Sequence, residues 1–394
     1  MSEAILVLNA GSSSLKFAVY GGASGALVPV LRGKVAGIGT AAVFSARDGV
    51  GAAVPEADLL QIAPEIGHDA LIPLLLAWIA GNGVRITSAG HRVVHGGRAH
   101  AGPAKVSADL LEELEALVPL APLHQPHNLD AIRSVAAFAP ELPQVACFDT
   151  SFHRTQDRLA QLFALPREMS EAGILRYGFH GLSYDYIAGR LPEALGARAE
   201  GRVIVAHLGN GASMCAMRGR QSVATSMGFT ALDGLMMGQR CGALDPGVVL
   251  YLMQQKGMSA EAVGHVLYEK SGLAGVSGMT NDMTVLQASD SAEAREAIAL
   301  FCYRAAGELA QLVAAIDGLD AIVFTAGIGE NSAEVRAMIC DRLGWLGVTL
   351  DMQANAANAT RISAAGSAVA VLVIPTDEEA VIAAATHRLG TDLG

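Results

Sequence analysis

Leu6-Val7-Leu8-Asn9-Ala10-Gly11-Ser12-Ser13-Ser14-Leu15-Lys16-Phe17 is the stretch on which the reading of this chain turns. Leu6 to Leu8 reads as a short buried strand and Phe17 to Tyr20 as a second. The Gly/Ser turn between them directs backbone N–H groups and three hydroxyls toward one small volume. Such a volume suits an anion: Lys16 adds a point charge, and Asn9 offers an oxygen at the strand end. The spacing is not that of G-x-x-x-x-G-K-[ST], and strand rather than helix follows. The rival reading is a tight hairpin whose serines only satisfy the turn. Val203-Ile204-Val205-Ala206-His207-Leu208-Gly209-Asn210-Gly211-Ala212-Ser213-Met214-Cys215-Ala216 repeats the pattern of apolar strand, Gly/Asn/Ser turn and apolar strand. Two such hairpins predict a duplicated domain with its ligand held between the copies.

The composition bounds what this duplication serves. The chain has 394 residues, of which 52% are hydrophobic, which is ample for two cores. Net charge is -11, and the 22 arginines and 5 lysines form no basic run, so nucleic acid is not expected as a partner. Five scattered cysteines without C-x-x-C spacing predict neither a disulfide framework nor structural zinc, and fit a reducing cytoplasm. Strand-like sequence begins almost at once, so no leader is expected. The longest apolar stretch, near Leu71–Ala80, carries Pro73 and is shorter than the roughly 20 residues of a bilayer span. A soluble protein with no membrane partner is expected.

Along the chain, strands up to about Val50 and an amphipathic segment His68–Ala80 precede Arg85–Gly97, which sets Arg92 at a strand end. Arginine there suits carboxylate or phosphate, or else a structural ion pair. Ser107 opens a helix closed by Pro119, and the proline-punctuated loop from Pro122, with His124, leads to a helix capped by Asn128. Val145–Phe148 reads as a buried strand ending in Asp149, where open α/β sheets keep reactive groups, though a turn or cap role competes. His180, between Gly178 and Gly181, is exposed by its backbone ahead of a helix. The Gly/Met segment Gly228–Gly242 ends near Arg240 and implies close approach of backbone to ligand. Asp290 with Glu293 opens a long helix ending before Gly318. Ala321–Thr325 runs into Gly327-Ile328-Gly329-Glu330-Asn331, a strand, glycine turn and helix start of the kind that holds a nucleotide, with Asn331 and Glu334 as the capping pair. Thr376 with Glu379 is a capping box for the last helix, and Glu378 projects toward the same crevice.

Taken together, these segments and spacings closely resemble the acetate kinase family, the acetokinases, over essentially the whole chain. The two hairpin stretches match the family's two signatures without a break. The resemblance implies an α/β protein of duplicated ribonuclease-H-like domains, the actin and hexokinase type, with an interdomain active-site cleft and a homodimeric assembly. It implies an acyl-site domain over residues 1–149 with the returning helix 379–394, and a nucleotide-binding domain over 150–378. Carried over by residue, it implies Asn9 and Glu378 around Mg²⁺ (or Mn²⁺), and Lys16 on the nucleotide phosphates. Arg92 and Arg240 would take carboxylate and transferring phosphoryl, His180 would stabilise the transition state, and Asp149 would orient or activate the acyl carboxylate. His124 falls at a loop position near Arg92, and Val94, Leu123 and Phe179 form the pocket for the substrate methyl. His207, Leu208, Gly209, Asn210 and Gly211, then Asp282, Met283 and Thr284, and finally Gly327 to Asn331, would hold ATP or ADP.

The implied reaction is reversible in-line transfer from ATP to acetate, giving acetyl phosphate and ADP, with propionate or another short-chain acid as the alternative acceptor. A sugar kinase on the same fold would need a base and a polar pocket, where Val94, Leu123 and Phe179 offer an apolar one. Four positions depart from the family pattern. Ala231 stands for proline, Asp233 for glutamate, Gln125 for asparagine and Thr284 for arginine, which bears on acyl-pocket width and on the adenosine contact.

Overall fold

The computed structural model describes residues 2–11, 13–22, 27–55, 60–122 and 124–391. The chain divides into two compact units, residues 1–152 with 377–394, and residues 153–376.

In the first unit the strands are β1 (Ser2–Gly11), β2 (Ser14–Gly21), β3 (Val28–Ala36), β4 (Val43–Asp48), β5 (Val84–Val93), β6 (Ala104–Lys105) and β7 (Gln144–Phe148). They form a seven-stranded sheet of order β4-β3-β2-β1-β5-β7-β6. β1 to β4 pair antiparallel, and β5 and β7 join β1 in parallel. Alternation sends Leu6, Leu8, Leu15 and Phe17 to one face, where they pack on Leu71, Leu75 and Ile79 of helix His68–Gly81 and on Val135 of helix Gln125–Phe138. Helix Glu378–Thr391 returns to cover the other face, against β1, β5 and β7. Gly90 makes that contact close, since a Cβ there would lie 2.6 Å from Ile382 Cγ2 and nearer still to Thr386 Oγ1.

In the second unit, β8 (Arg202–Leu208), β9 (Ala212–Arg218), β10 (Gln221–Thr225), β11 (Ala321–Thr325) and β12 (Ala370–Val373) form a five-stranded sheet of order β10-β9-β8-β11-β12. β10, β9 and β8 pair antiparallel, and β8, β11 and β12 pair parallel. This repeats the β3-β2-β1-β5-β7 order of the first sheet, so the hairpin repeat seen in the sequence is a repeat of whole sheets. Among the described residues, helix Ala292–Ala315, not the Leu71–Ala80 segment, is the one long and apolar enough to cross a membrane. Its Phe301, Leu309 and Leu312 are buried, and it packs on β8, β9 and β10.

Several expected caps are displaced. Ser291, not Asp290, caps Ala292–Ala315 by accepting from Ala294 N, 3.0 Å. Asn128 lies inside Gln125–Phe138. Ala326–Asn331 is already helical, and Ser332 caps the next helix, Ala333–Asp341. Asp377, not Thr376, caps the last helix, accepting from Ala380 N at 3.0 Å. At Ser291, Ser332 and Asp377 an adjacent side chain with the right reach takes the orphan N–H.

Candidate active site

In the first unit, parallel pairing sets the site. Leu8 stands opposite His91 and Val93 opposite Phe148, so the carboxyl ends of β1, β5 and β7 deliver Asn9, Arg92 and Asp149 to one edge. Alternation directs Arg92, like Gly90, to the face covered by helix Glu378–Thr391, whose first residue is Glu378. Arg92 Nε donates to both Asp149 oxygens at 3.1 Å, and Nη1 donates to Asn9 Oδ1 at 3.2 Å. Asp149 is 1% exposed. Burial works against the Arg92 charge, but Asp149 and Glu378 outweigh it and hold the guanidinium above its ordinary value. The Glu378 carboxyl is raised well above the usual carboxylate range, first by burial, with Arg92 opposing and Asp149 and Glu379 adding.

Lys16 pairs with Asn9 across the hairpin and is exposed. Glu378 is placed by its neighbour: Asp377 accepts from Tyr20 Oη at 3.1 Å and pairs with Arg32. Val94 is buried, and its N–H donates to Asn128 Oδ1 at 2.9 Å, while Asn128 Nδ2 donates to Ala10 O at 2.7 Å. Gln125 accepts from His95 N and donates to His95 O, so both ends of its amide are used. His124 precedes that helix, and Leu123 lies outside the described residues.

In the second unit, His180 takes a left-handed backbone, φ 58°, immediately before helix Gly181–Leu195. Its Nδ1 meets Ser213 Oγ at 2.8 Å, Tyr184 Oη reaches the same hydroxyl, and its ring stacks on His207 at 4.2 Å. His207 Nδ1 is held in turn by Ser183 Oγ at 2.8 Å. The turn after β8 follows at once. A Cβ on Gly211 would sit 3.3 Å from His180 Nε2 and 3.9 Å from Arg240 Nη1, so glycine lets both side chains close on the turn. Arg240 Nη1 donates to Ala231 O at 3.2 Å. Phe179 is buried, and its carbonyl meets His153 Nε2 at 3.0 Å. Asp233 pairs with Arg176 at 3.1 Å.

The segments expected to hold the nucleotide are also connected. Gly238 N donates to Asn210 O at 2.9 Å, and Asn281 Nδ2 donates to Asn210 Oδ1 at 3.0 Å. Asn281 thus ties the Asp282 segment to the Leu208–Gly211 turn. Asp282 itself caps helix Met283–Gln287, accepting from Thr284 N at 2.8 Å; Met283 is buried and Thr284 exposed. Gly327, Ile328, Gly329, Glu330 and Asn331 form a short helix over the end of β8, not an open glycine turn. Gly329 is the closest point, since a Cβ there would be 3.5 Å from Ala206 O. Ala326, at φ 64°, makes the entry, and Glu330 Oε1 accepts its N–H at 2.8 Å and that of Thr376 at 3.1 Å. Asn331 Nδ2 donates back to Gly327 O instead of capping a following helix.

The residues that hold these groups, Asn128, Gln125, Ser213, Tyr184 and Asp377, carry no holding role that their local sequence announces. Ser213 lay in plain view in the second hairpin, and strand alternation was the available signal. The others depend on register.

A sheet order used twice in one chain, with charged groups at the carboxyl ends of the first sheet's parallel strands, defines a duplicated ribonuclease-H-like α/β protein. A profile of the acetokinase family matches residues 4–384, and the chain belongs to that family. It is 52% identical to an acetate kinase of Rhodopseudomonas palustris over 99% of each chain. It is 49% identical to an acetate kinase of Methylocella silvestris over 99% of this chain and 98% of that one. Among solved structures it is similar to a propionate kinase from Francisella tularensis, with TM-score 0.91, 36% identity, and 98% and 100% of the two chains covered. It is likewise similar to Porphyromonas gingivalis acetate kinase, with TM-score 0.87, 32% identity, and 98% and 100% covered.

Proposed function

We propose that this protein is an acetate kinase, transferring phosphoryl reversibly from ATP to acetate to give acetyl phosphate and ADP. Family membership over almost the whole chain, with acetate kinases at about half identity, is the observation that carries the reading. A carboxylate oxygen is already nucleophilic at neutral pH, so the protein's task is positioning and charge neutralisation. Arg92, fixed in its fork by Asp149, is given the carboxylate and the transferring group. Asp149 then acts by orienting Arg92 and needs to accept no proton. In the second unit His180, locked by Ser213 and His207, and Arg240 are given the equatorial oxygens. Lys16, the His207–Gly211 turn, Asp282–Thr284 and Gly327–Asn331 are given ATP. His124 is given the substrate side.

For the metal, Asn9 Oδ1 and the Glu378 carboxyl are oxygen donors. Among the described residues no cluster of three or more His, Cys, Asp or Glu forms a dedicated cage. Mg²⁺, which keeps waters and substrate phosphates, fits a two-donor set of this kind, and Mn²⁺ would replace it. When bound, the ion supplies charge neutralisation at the phosphates.

The protein is further proposed to be a cytoplasmic homodimer. Its cysteines are free, and helix Pro246–Gln254 buries none of its side chains within the chain and exposes Leu250 and Tyr251 at 53% and 51%. Trapping acyl phosphate with hydroxylamine from acetate, propionate, butyrate and a panel of sugars tests the reading. Acetate should exceed propionate by no more than about 10–200-fold in kcat/KM, the worth of one methylene. Val94→Ala should narrow that ratio, and a sugar as best acceptor would overturn the assignment.

A further inference from the structure

The sequence has no basic run, yet the strand register assembles a basic face. Lys16 stands directly opposite Lys34, and Arg32 directly opposite Arg47, on adjoining rungs of β2, β3 and β4. All four lie on the face opposite the one that sends Phe17, Val35 and Phe44 into the core. Like charges directly opposed across a ladder are destabilising, and this chain, at -11, has only five lysines, of which two are spent here. Arg32 is engaged by Asp377 and Tyr20, but its Nε is buried with no hydrogen-bond partner among the described residues. Lys16, Lys34 and Arg47 form no ion pair with a described residue, and Arg47 Nη1 donates to Gly51 O at 2.9 Å. The four cations line a groove of about 360 Å³ in which, among the described residues, Glu379 is the one lining carboxylate.

We infer that this groove is a binding site for the phosphate group of a small anion, distinct from the reacting groups. Several cations converging on one groove suit a doubly charged oxyanion better than a monocarboxylate, and Arg32 and Arg47 supply the planar forks that phosphate accepts. The site rests on Arg32, Lys34 and Arg47 and does not require the nucleotide role given to Lys16.

Calorimetric titration of the full chain with inorganic phosphate at fixed ionic strength tests it. Lys34→Glu with Arg47→Glu should weaken binding about tenfold or more, while Lys34→Arg with Arg47→Lys and, separately, Arg92→Ala should leave it in place. The reversal turns two repulsive rungs into attractive ones, so its unfolding midpoint should hold or rise; Lys34→Ala alone serves as the milder variant. Absence of phosphate binding in the parent protein, or equal binding in the reversal variant, overturns the inference. So does loss on Arg92→Ala, which would put the phosphate at the reacting groups. Capture on phosphatidylglycerol vesicles that excess free phosphate does not displace would assign the face to a lipid surface and overturn it as well. None of these readouts is turnover, so failure here and failure of the kinase assignment are separable.

Discussion

Arg336 heads the fully buried side chains by volume, at 0% exposure, and among the described residues no carboxylate pairs with it. Instead all five of its N–H groups are spent on oxygens. Nε donates to Asn355 Oδ1 at 2.8 Å, Nη1 to Gly329 O at 2.9 Å and Glu330 O at 3.0 Å, and Nη2 to Asn355 O at 2.8 Å and Asn358 Oδ1 at 2.6 Å. Gly329 and Glu330 lie toward the carboxyl end of helix Ala326–Asn331, where a cation is favoured by the orphan carbonyls. Burial still lowers the guanidinium pKa from its ordinary value.

Arg336→Leu strips the donor from five acceptors at once. A buried unsatisfied group costs about 1–3 kcal/mol, and the costs do not add fully, so a local loss of about 3–5 kcal/mol is expected. That corresponds to a fall of roughly 10²-fold to several 10³-fold in hydrogen-exchange protection over 326–341 and 352–358, since about 1.4 kcal/mol is tenfold. Arg336→Lys, with three donors on a point charge, should recover part of it. Because the same carbonyls fix the segment given to the nucleotide, ADP affinity should fall in both variants while the KM for acetate stays near the parent value. Exchange is the proper readout, since a two-unit chain need not unfold in one step. Parental protection in the Leu variant would refute the clamp, and lost protection with unchanged ADP affinity would refute its link to the nucleotide.

Arg92→Ala should lower kcat by about 10²-fold or more as a preorganised donor is lost. It also leaves the buried Asp149 unpaired, so Arg92→Ala with Asp149→Asn should regain stability but not turnover, and recovery of turnover would refute the role. Glu378 has a raised pKa in the folded protein, so its ionisation opposes folding: stability falls as pH rises from the ordinary carboxylate range through the raised value, and Glu378→Gln should flatten that slope in melting curves without metal. The same variant should abolish activity or shift its Mg²⁺ dependence. His91, His95 and His153 are each pushed down to about 4 by burial, so stability present above pH ~6.5 should drain away as pH falls toward 4. His91→Gln should remove part of that acid slope, and an unchanged slope would show that His91 charges at no cost.

What was legible in the sequence was what repeats locally. Strand alternation around Leu6–Leu8 and Val203–Leu208 displays the two hairpins, and their recurrence displays the duplication, because each pattern is written in neighbouring residues. Asn128 was misread for the converse reason. As a polar residue after Pro126 it has a cap's signature, but the helix had begun at Gln125, and one turn in, the amide faces the sheet and takes Val94 N and Ala10 O. The glycines of Gly327–Asn331 signalled a turn, yet Thr325 stays extended and Ala326 makes the whole bend in a single left-handed residue. Nothing in a one-residue bend at alanine announces itself by composition.

The site residues fall between these cases. Asn9, Arg92 and Asp149 each end a strand in the sequence, and that much is readable from one apolar run at a time. That Arg92 Nε reaches Asp149 across 57 positions follows only from the parallel β1-β5-β7 order, in which successive crossovers set neighbouring strand ends side by side. The basic face of β2, β3 and β4 is the extreme form of the same rule. Arg32 and Lys34 are neighbours but for Gly33, yet Lys16 and Arg47 lie far from them in the chain, so no short window contains all four charges and pairing alone gathers them. Charge or polarity that acts through register is thus invisible until strand order is known. Strand order also fixes which half of each alternation faces the core, so the fold that hides Phe17 is the fold that gathers the lysines.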